Sequence, residues 1–321
     1  MDSIKKAIDD KRNIKPNSLR AYLINIKKVF EGLGNKGEPK NLDFLKDEKK
    51  VLEFLSEKAL TTQKNYLTGI IIGLDSLNNN KKYDQDLKVY RKRLGEYTDK
   101  YNKQMEENKK TGKQKENWST MKELKKVIST YKADLMDRGV FGKDYDQITK
   151  KQFDLLQKFV VGSLYIYEEN PPVRLDYGNM KIIKSPEYED LTEDEKEENN
   201  YLVVKSRNNK FFHFGDYKTS KNYGTKKITV GKKLNSVLNI WLKFNKTDEF
   251  LLDSRGNNMT SNQLSKYLNK VFAPTGKRIS ANMLRHIYIT EKHPVKEEES
   301  KEDTAEKMMH SVSQQKQYSK K

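Results

Sequence analysis

Residues 151–174 read KQFDLLQKFVVGSLYIYEENPPVR, and this stretch decides the architecture of the chain. Lys151 to Tyr167 is strongly apolar and helical in pattern, which predicts a helix at the core of a domain. Pro171 and Pro172 cannot continue that helix, so it stops near Asn170, and Arg174 sits just past the stop. Downstream, Met180–Ile183, Tyr201–Val204, Phe211–Phe214 and Lys227–Val230 are short runs rich in β-formers, read as a small antiparallel sheet. Between the first two lies a block dominated by carboxylates, Glu187 to Glu198, expected as a solvent-facing insert. Helical patterns then cover 234–244, 261–272 and 280–291.

Upstream, Thr120-x-x-Glu123 has the spacing of a capping box and opens a further helix. KKTGKQKE, residues 109–116, is polar, contains Gly112 and has no hydrophobic anchor, so it reads as a linker. The residues before it look helical throughout. Asn17-Ser18-Leu19 opens a helix whose apolar stripe is Leu19, Tyr22, Leu23, Ile26, Val29 and Phe30, closed by Gly32 and Gly34. A second helix covers 47–58, Thr61-Thr62 caps a third, and a last one runs from Gln85 to Glu107. The expected fold class is α+β: an all-α N-terminal domain over 1–113, then a mainly helical domain over 114–321 with a small antiparallel β-sheet.

Of the 321 residues, 64 are Lys or Arg and 46 are Asp or Glu, a formal charge of +18 that suits a polyanionic partner. There is no cysteine, which excludes disulfides, thiolate chemistry and Cys-ligated zinc. The four histidines lack metal-ligand spacing, and no apolar run is long enough for a membrane span. The start of the sequence is polar and charged, unlike a secretory leader. The expectation is an intracellular protein that contacts no membrane and needs neither metal nor small-molecule cofactor.

The chemistry-bearing residues cluster late in the chain. Leu284-Arg285-His286 is followed by Met309-His310-Ser311 and by Tyr318. A tyrosine can attack a phosphodiester, an arginine can hold the phosphate charge, and a histidine can move a proton. In this order, together with Arg174 and Lys218, these residues resemble the tyrosine recombinase (integrase) family, similar to the forms carried by large DNA viruses and related mobile elements. The resemblance covers the whole second domain and, more weakly, the N-terminal helices, which look like the family's core-binding, DNA-binding module.

The resemblance implies the DNA breaking-rejoining enzyme fold and a catalytic set of Arg174, Lys218, Asn282, Arg285, His310 and Tyr318. Lys221 is a rival for Lys218 on the same connection. It also implies double-stranded DNA as partner, a homotetramer acting on two DNA sites, and integration or excision of a viral or mobile genome, in a host cytoplasm, viral factory or nucleus. Two positions depart from the family's pattern. Asn282 stands where a histidine is usual, and asparagine donates a hydrogen bond but is no base at neutral pH. Met309 stands where a glycine is common. A type IB topoisomerase would use nearly the same residues, and a non-catalytic site-specific DNA-binding protein would keep the basic surface without the reaction.

Overall fold

The structure, a computed structural model, describes residues 1–107, 109–167, 170–292, 304–305, 307–309, 311, 314 and 317–318. Contacts divide the chain into two units, Met1–Glu107 and Asn108–Lys321.

The first unit is helical: α1 (Asp2–Lys11), α2 (Pro16–Gly32), α3 (Glu48–Ser56), α4 (Leu60–Ser76) and α5 (Asp84–Glu106). Sequence reading misses α1, whose short apolar face is only Ile4 and Ile8. Helix α2 begins at Pro16, a residue whose fixed φ and missing N–H suit a first turn. Thr61 and Thr62 lie inside the first turn of α4 instead of capping it, because the N-cap position falls on Ala59. The core joins Ile8, Ile26, Val29, Val51, Leu55, Leu67, Ile70, Leu74 and Tyr90. Helix α4 approaches α2 through Gly69 and Gly73. A Cβ on Gly69 would meet the Tyr22 carbonyl oxygen at 3.2 Å, and one on Gly73 would meet Ile26 Cδ1 at 2.9 Å.

The second unit opens with α6 (Gly112–Asn117), inside the stretch read as a linker. A Thr111–Gln114 capping box nucleates this short helix, a local signal that the polar composition hides. Helix α7 (Met121–Asp137) starts at the expected box: Glu123 N–H donates to Thr120 Oγ1, and Thr120 N–H donates to the Glu123 carboxylate, both at 3.1 Å. Helix α8 (Lys150–Ile166) is the apolar helix read from the sequence, and Phe159, Val160, Val161, Leu164 and Tyr165 on it are buried.

Then come β1 (Lys181–Lys184), α9 (Ser185–Glu189), α10 (Glu193–Glu198), β2 (Asn200–Ser206), β3 (Asn209–Phe214), α11 (Ser220–Tyr223), β4 (Lys226–Thr229), α12 (Lys232–Phe244), α13 (Ser261–Val271) and α14 (Ala281–Lys292). The order is mostly helical with one four-stranded sheet, β1-β2-β3-β4. The sheet is mixed, a correction to the antiparallel expectation: β1 pairs parallel with β2, and only β2–β3 and β3–β4 are antiparallel. The reason is the carboxylate block. It folds as α9 and α10, and this helical crossover returns the chain in the same direction, as parallel pairing requires. Among the described residues, no helix is long and apolar enough to cross a membrane.

Each sheet face has its own task. Leu202, Phe212 and Phe214 join the main core, while Tyr201, Val203 and Phe211 form a smaller cluster with Tyr188 of α9. Lys210, 1% exposed, pins the β2–β3 hairpin to α12 by donating to the Arg207 carbonyl at 2.6 Å and to Asn235 and Asn239 at 2.8 and 2.6 Å. Gly215 lets the insert close on β3, since a Cβ there would lie 1.8 Å from the Lys196 carbonyl oxygen. His213, buried on β3, locks the same junction. Its Nε2–H donates to the Lys196 carbonyl at 2.7 Å, and Nδ1 then accepts from the Tyr188 hydroxyl at 3.1 Å, a pattern that needs the neutral ring.

Burial lowers the His213 pKa below the usual 6.5; the charges of Lys227 and Lys196 add to this, while the Lys196 carbonyl and Glu193 oppose it. The unfolded chain therefore takes up this proton first as pH falls. The stabilisation is complete above about pH 6.5 and is lost on acidification. Urea unfolding of the intact chain at pH 7.5 and 5.5 should show a loss at the lower pH that His213→Gln diminishes. An identical loss in the variant would assign the effect elsewhere.

Candidate active site

Arg174 lies just past the Pro171–Pro172 pair, after α8 has already ended at Ile166, short of the expected stop near Asn170. Val173 is buried, and the Tyr165 hydroxyl of α8 donates to the Arg174 carbonyl at 2.7 Å, fixing the corner. Arg285 projects from α14 into the same region with no solvent exposure. Its Nη1 donates to the Pro172 carbonyl at 3.0 Å, and Nη1 and Nη2 both donate to the Met308 carbonyl at 3.3 Å. Arg174 Nη1 donates to the next carbonyl, that of Met309, at 3.4 Å. The Thr219 hydroxyl donates to that same carbonyl at 3.1 Å. Two guanidiniums and the β3–β4 connection thus converge on two successive carbonyls.

Tyr318 closes the group. Its side chain is 8% exposed, and the Arg285 guanidinium carbon lies 4.8 Å from its ring centroid, a cation–π distance. The His286 ring packs 4.9 Å from the Tyr318 ring, and His286 Nδ1–H donates to the Tyr318 carbonyl at 2.9 Å. Burial pulls the Arg285 pKa down and Arg174 adds to this, whereas Tyr318 and Asp176 pull it up. A guanidinium stays charged through such shifts.

Of the residues singled out from sequence, Arg174, Arg285 and Tyr318 come together. Lys218 is exposed in the turn before α11, next to Thr219, and Lys221 is exposed one helical turn further on. Neither lysine is paired with a carboxylate among the described residues. Asn282 is exposed one turn before Arg285 on α14, with no described contact to the others. His310 lies outside the described residues.

Sequence reading misses Asp176. Its Oδ2 is buried without a hydrogen-bond partner among the described residues, beside Arg174 Nη2 and Arg285 Nε in the same condition. Burial raises the Asp176 pKa, and the charges of Arg174 and Arg285 oppose the rise. The signal was present in Arg174-Leu175-Asp176-Tyr177, where an acid follows the arginine at short range. His286 is a second omission, since its part here comes from touching Tyr318.

No protein-family model matches the chain, and no curated protein matches it. Solved structures do match. One is a crystal structure of XerA recombinase, 10% identical, covering 98% of this chain and 90% of that chain at a TM-score of 0.40. So low a score carries no argument about chemistry, and the site stands on its own contacts.

The Met308–Met309 turn has an unusual conformation: Met309 has φ +55°, in the left-handed region that favours glycine. Glycine there would relieve about 1–2 kcal/mol of backbone strain. Met309 is nevertheless 2% exposed and packed in the main core, and emptying a methionine site costs about 2–5 kcal/mol. Packing outweighs strain. Met309→Gly should therefore lower the unfolding midpoint in urea despite its better backbone fit. An unchanged or raised midpoint would show that the side chain contributes little.

Proposed function

We propose that the chain is a tyrosine-type site-specific DNA recombinase that breaks and rejoins DNA through a 3′-phosphotyrosyl intermediate. One observation carries the reading: Tyr318 packs under Arg285, while Arg285 and Arg174 meet the consecutive carbonyls of Met308 and Met309. Paired guanidiniums beside a tyrosine are what attack on a phosphodiester requires. They bind the non-bridging oxygens bidentately and hold the added charge without titrating.

In this reading the Tyr318 hydroxyl oxygen forms the bond to phosphorus and the bond from phosphorus to the 5′ oxygen breaks. The phenol proton passes to His310 acting as base, and Lys218 gives a proton to the departing 5′ oxygen. The phosphotyrosyl link keeps the bond energy of the phosphodiester, so a second 5′-hydroxyl reverses the step without ATP or metal. Asn282 would donate a hydrogen bond to a phosphate oxygen. The acid-rich α9–α10 insert would stand away from the duplex, where its carboxylates avoid phosphate repulsion.

The finer reading is recombination by four copies on two DNA sites, in integration or excision of a mobile genome. Its support is the residue order and a charge of +18, which suits a long phosphate backbone.

The test is a covalent adduct. Duplexes retained by the protein from a random-sequence library supply the site, which is rebuilt with a nick so that the cleaved fragment diffuses away. The intact chain should give a DNA adduct that survives denaturant. Tyr318→Phe should give none, and Arg285→Ala should lose at least about 10²–10³-fold in rate. Tight, salt-sensitive binding with no adduct would reject the covalent reading and leave a protein that only binds DNA.

A further inference from the structure

We infer that Tyr223 positions DNA at the cleaved step by stacking its ring on a base close to the scissile phosphate, an inference that rests on DNA being the partner. Large exposed hydrophobic side chains are few among the described residues: Ile24, Met136, Tyr145 and Tyr223. Tyr223 stands apart from the others because of where it sits. It ends α11, on the β3–β4 connection whose Thr219 shares the Met309 carbonyl with Arg174. Tyr223 lies four positions after Thr219, about 6 Å along a helix at 1.5 Å per residue. At 3.4 Å per base step, a phosphate held by Arg174 would bring the first few flanking nucleotides within reach of this connection.

The surroundings fit a nucleic acid and little else. From Tyr217 to Thr229 the chain carries Lys218, Lys221, Lys226 and Lys227 and no carboxylate. The Tyr223 side chain is 44% exposed, and it makes no hydrogen bond, ring stack or cation contact with any described residue. The backbone that carries it has a defined course. Gly224 follows at φ +64° and ψ −167°, a region open almost only to glycine. A Cβ on Gly224 would meet nothing within 4 Å, so this glycine is required by conformation and not by space. The Tyr217 hydroxyl then donates to the Gly224 carbonyl at 2.6 Å, closing the connection on itself.

The connection is therefore a basic, held loop that presents one bare aromatic ring beside the phosphate site. Every base offers a π-face, so such a ring stacks without demanding a sequence. Exposed Lys218 and Lys221 would hold the backbone while the ring fixes the step, which makes Tyr223 a positioning residue. Lys227 instead packs over the Tyr188 and Phe211 rings at 5.3 and 5.7 Å.

The test uses the nicked library-selected duplex carrying 2-aminopurine at each of the three nucleotides on either side of the nick, bound to full-length Tyr318→Phe protein so that no reaction intervenes. Fluorescence should be quenched at one position. Tyr223→Ala should abolish that quenching and weaken binding by roughly 5- to 150-fold, the range expected for one lost stack. Tyr223→Phe should restore both, since the ring acts and the hydroxyl does not.

With Tyr318 intact, the adduct should fall in Tyr223→Ala and recover in Tyr223→Phe. Unchanged quenching at all six positions in Tyr223→Ala overturns the inference, even where the adduct forms normally and the recombinase reading survives. Quenching that depends on Tyr223 with no adduct in the intact chain sustains the inference and rejects the covalent reading. No binding to DNA overturns both.

Discussion

Arg285 carries a permanent charge at zero exposure, and the second unit is organised around that fact. Removing an ion from water costs several kcal/mol even after relaxation, so a buried guanidinium must find acceptors. It finds main-chain carbonyls: Pro172 at the end of the α8 corner and Met308 in the C-terminal segment. One side chain on α14 thereby ties together two segments 136 residues apart in sequence. Carbonyls satisfy its N–H groups but bring no negative charge. Asp176 supplies one negative charge against two guanidiniums, and burial raises its pKa while Arg174 and Arg285 oppose the rise. The site consequently keeps a positive field and bare donors at Arg174 Nη2 and Arg285 Nε. Donors in that condition favour an anion with several oxygen acceptors.

The helices and strands were legible where the signal was local. Helix α8 follows from its apolar run, although it ends at Ile166 and not at the Pro171–Pro172 pair, and α7 follows from a four-residue capping box. The four strand runs fall on β1 to β4 within two residues at each end. Parallel pairing of β1 with β2 was not legible, because it depends on how the carboxylate block folds. Eight acids in Glu187–Glu198 mask one buried aromatic, Tyr188, which anchors α9 to the outer sheet face. Helix α1 escaped because its core contribution is two isoleucines one turn apart.

The site was legible as a set of residue types and not as an arrangement. Order along the chain pointed to Arg174, Arg285 and Tyr318. It could not show that backbone carbonyls occupy the arginines, or that Thr219 reaches the same carbonyl as Arg174. Met309 was visible as a departure from an expected glycine, and the physical reason emerges only with its left-handed φ. A residue that the backbone disfavours is retained because its side chain fills the core. Asn282 remains a matter of residue type alone, since no described contact connects it to Arg174 or Arg285.

On the proposed reading, the bond lengths bear on how the site would accept DNA. Arg285 holds Pro172 at 3.0 Å, an ordinary distance, but holds Met308 at 3.3 Å, and Arg174 holds Met309 at 3.4 Å. Bonds beyond the usual 2.9–3.0 Å are weakened. A bidentate guanidinium–phosphate contact is roughly twice as strong as a neutral hydrogen bond, so a phosphodiester would win these donors from the two methionine carbonyls. The exchange would also release the turn that holds Met309 at positive φ, and the segment carrying Tyr318 follows that turn in the chain. On the proposed reading, phosphate binding and release of Tyr318 would then be one event. The Pro172 bond, shorter and outside the exchange, would keep Arg285 aimed while its neighbours move.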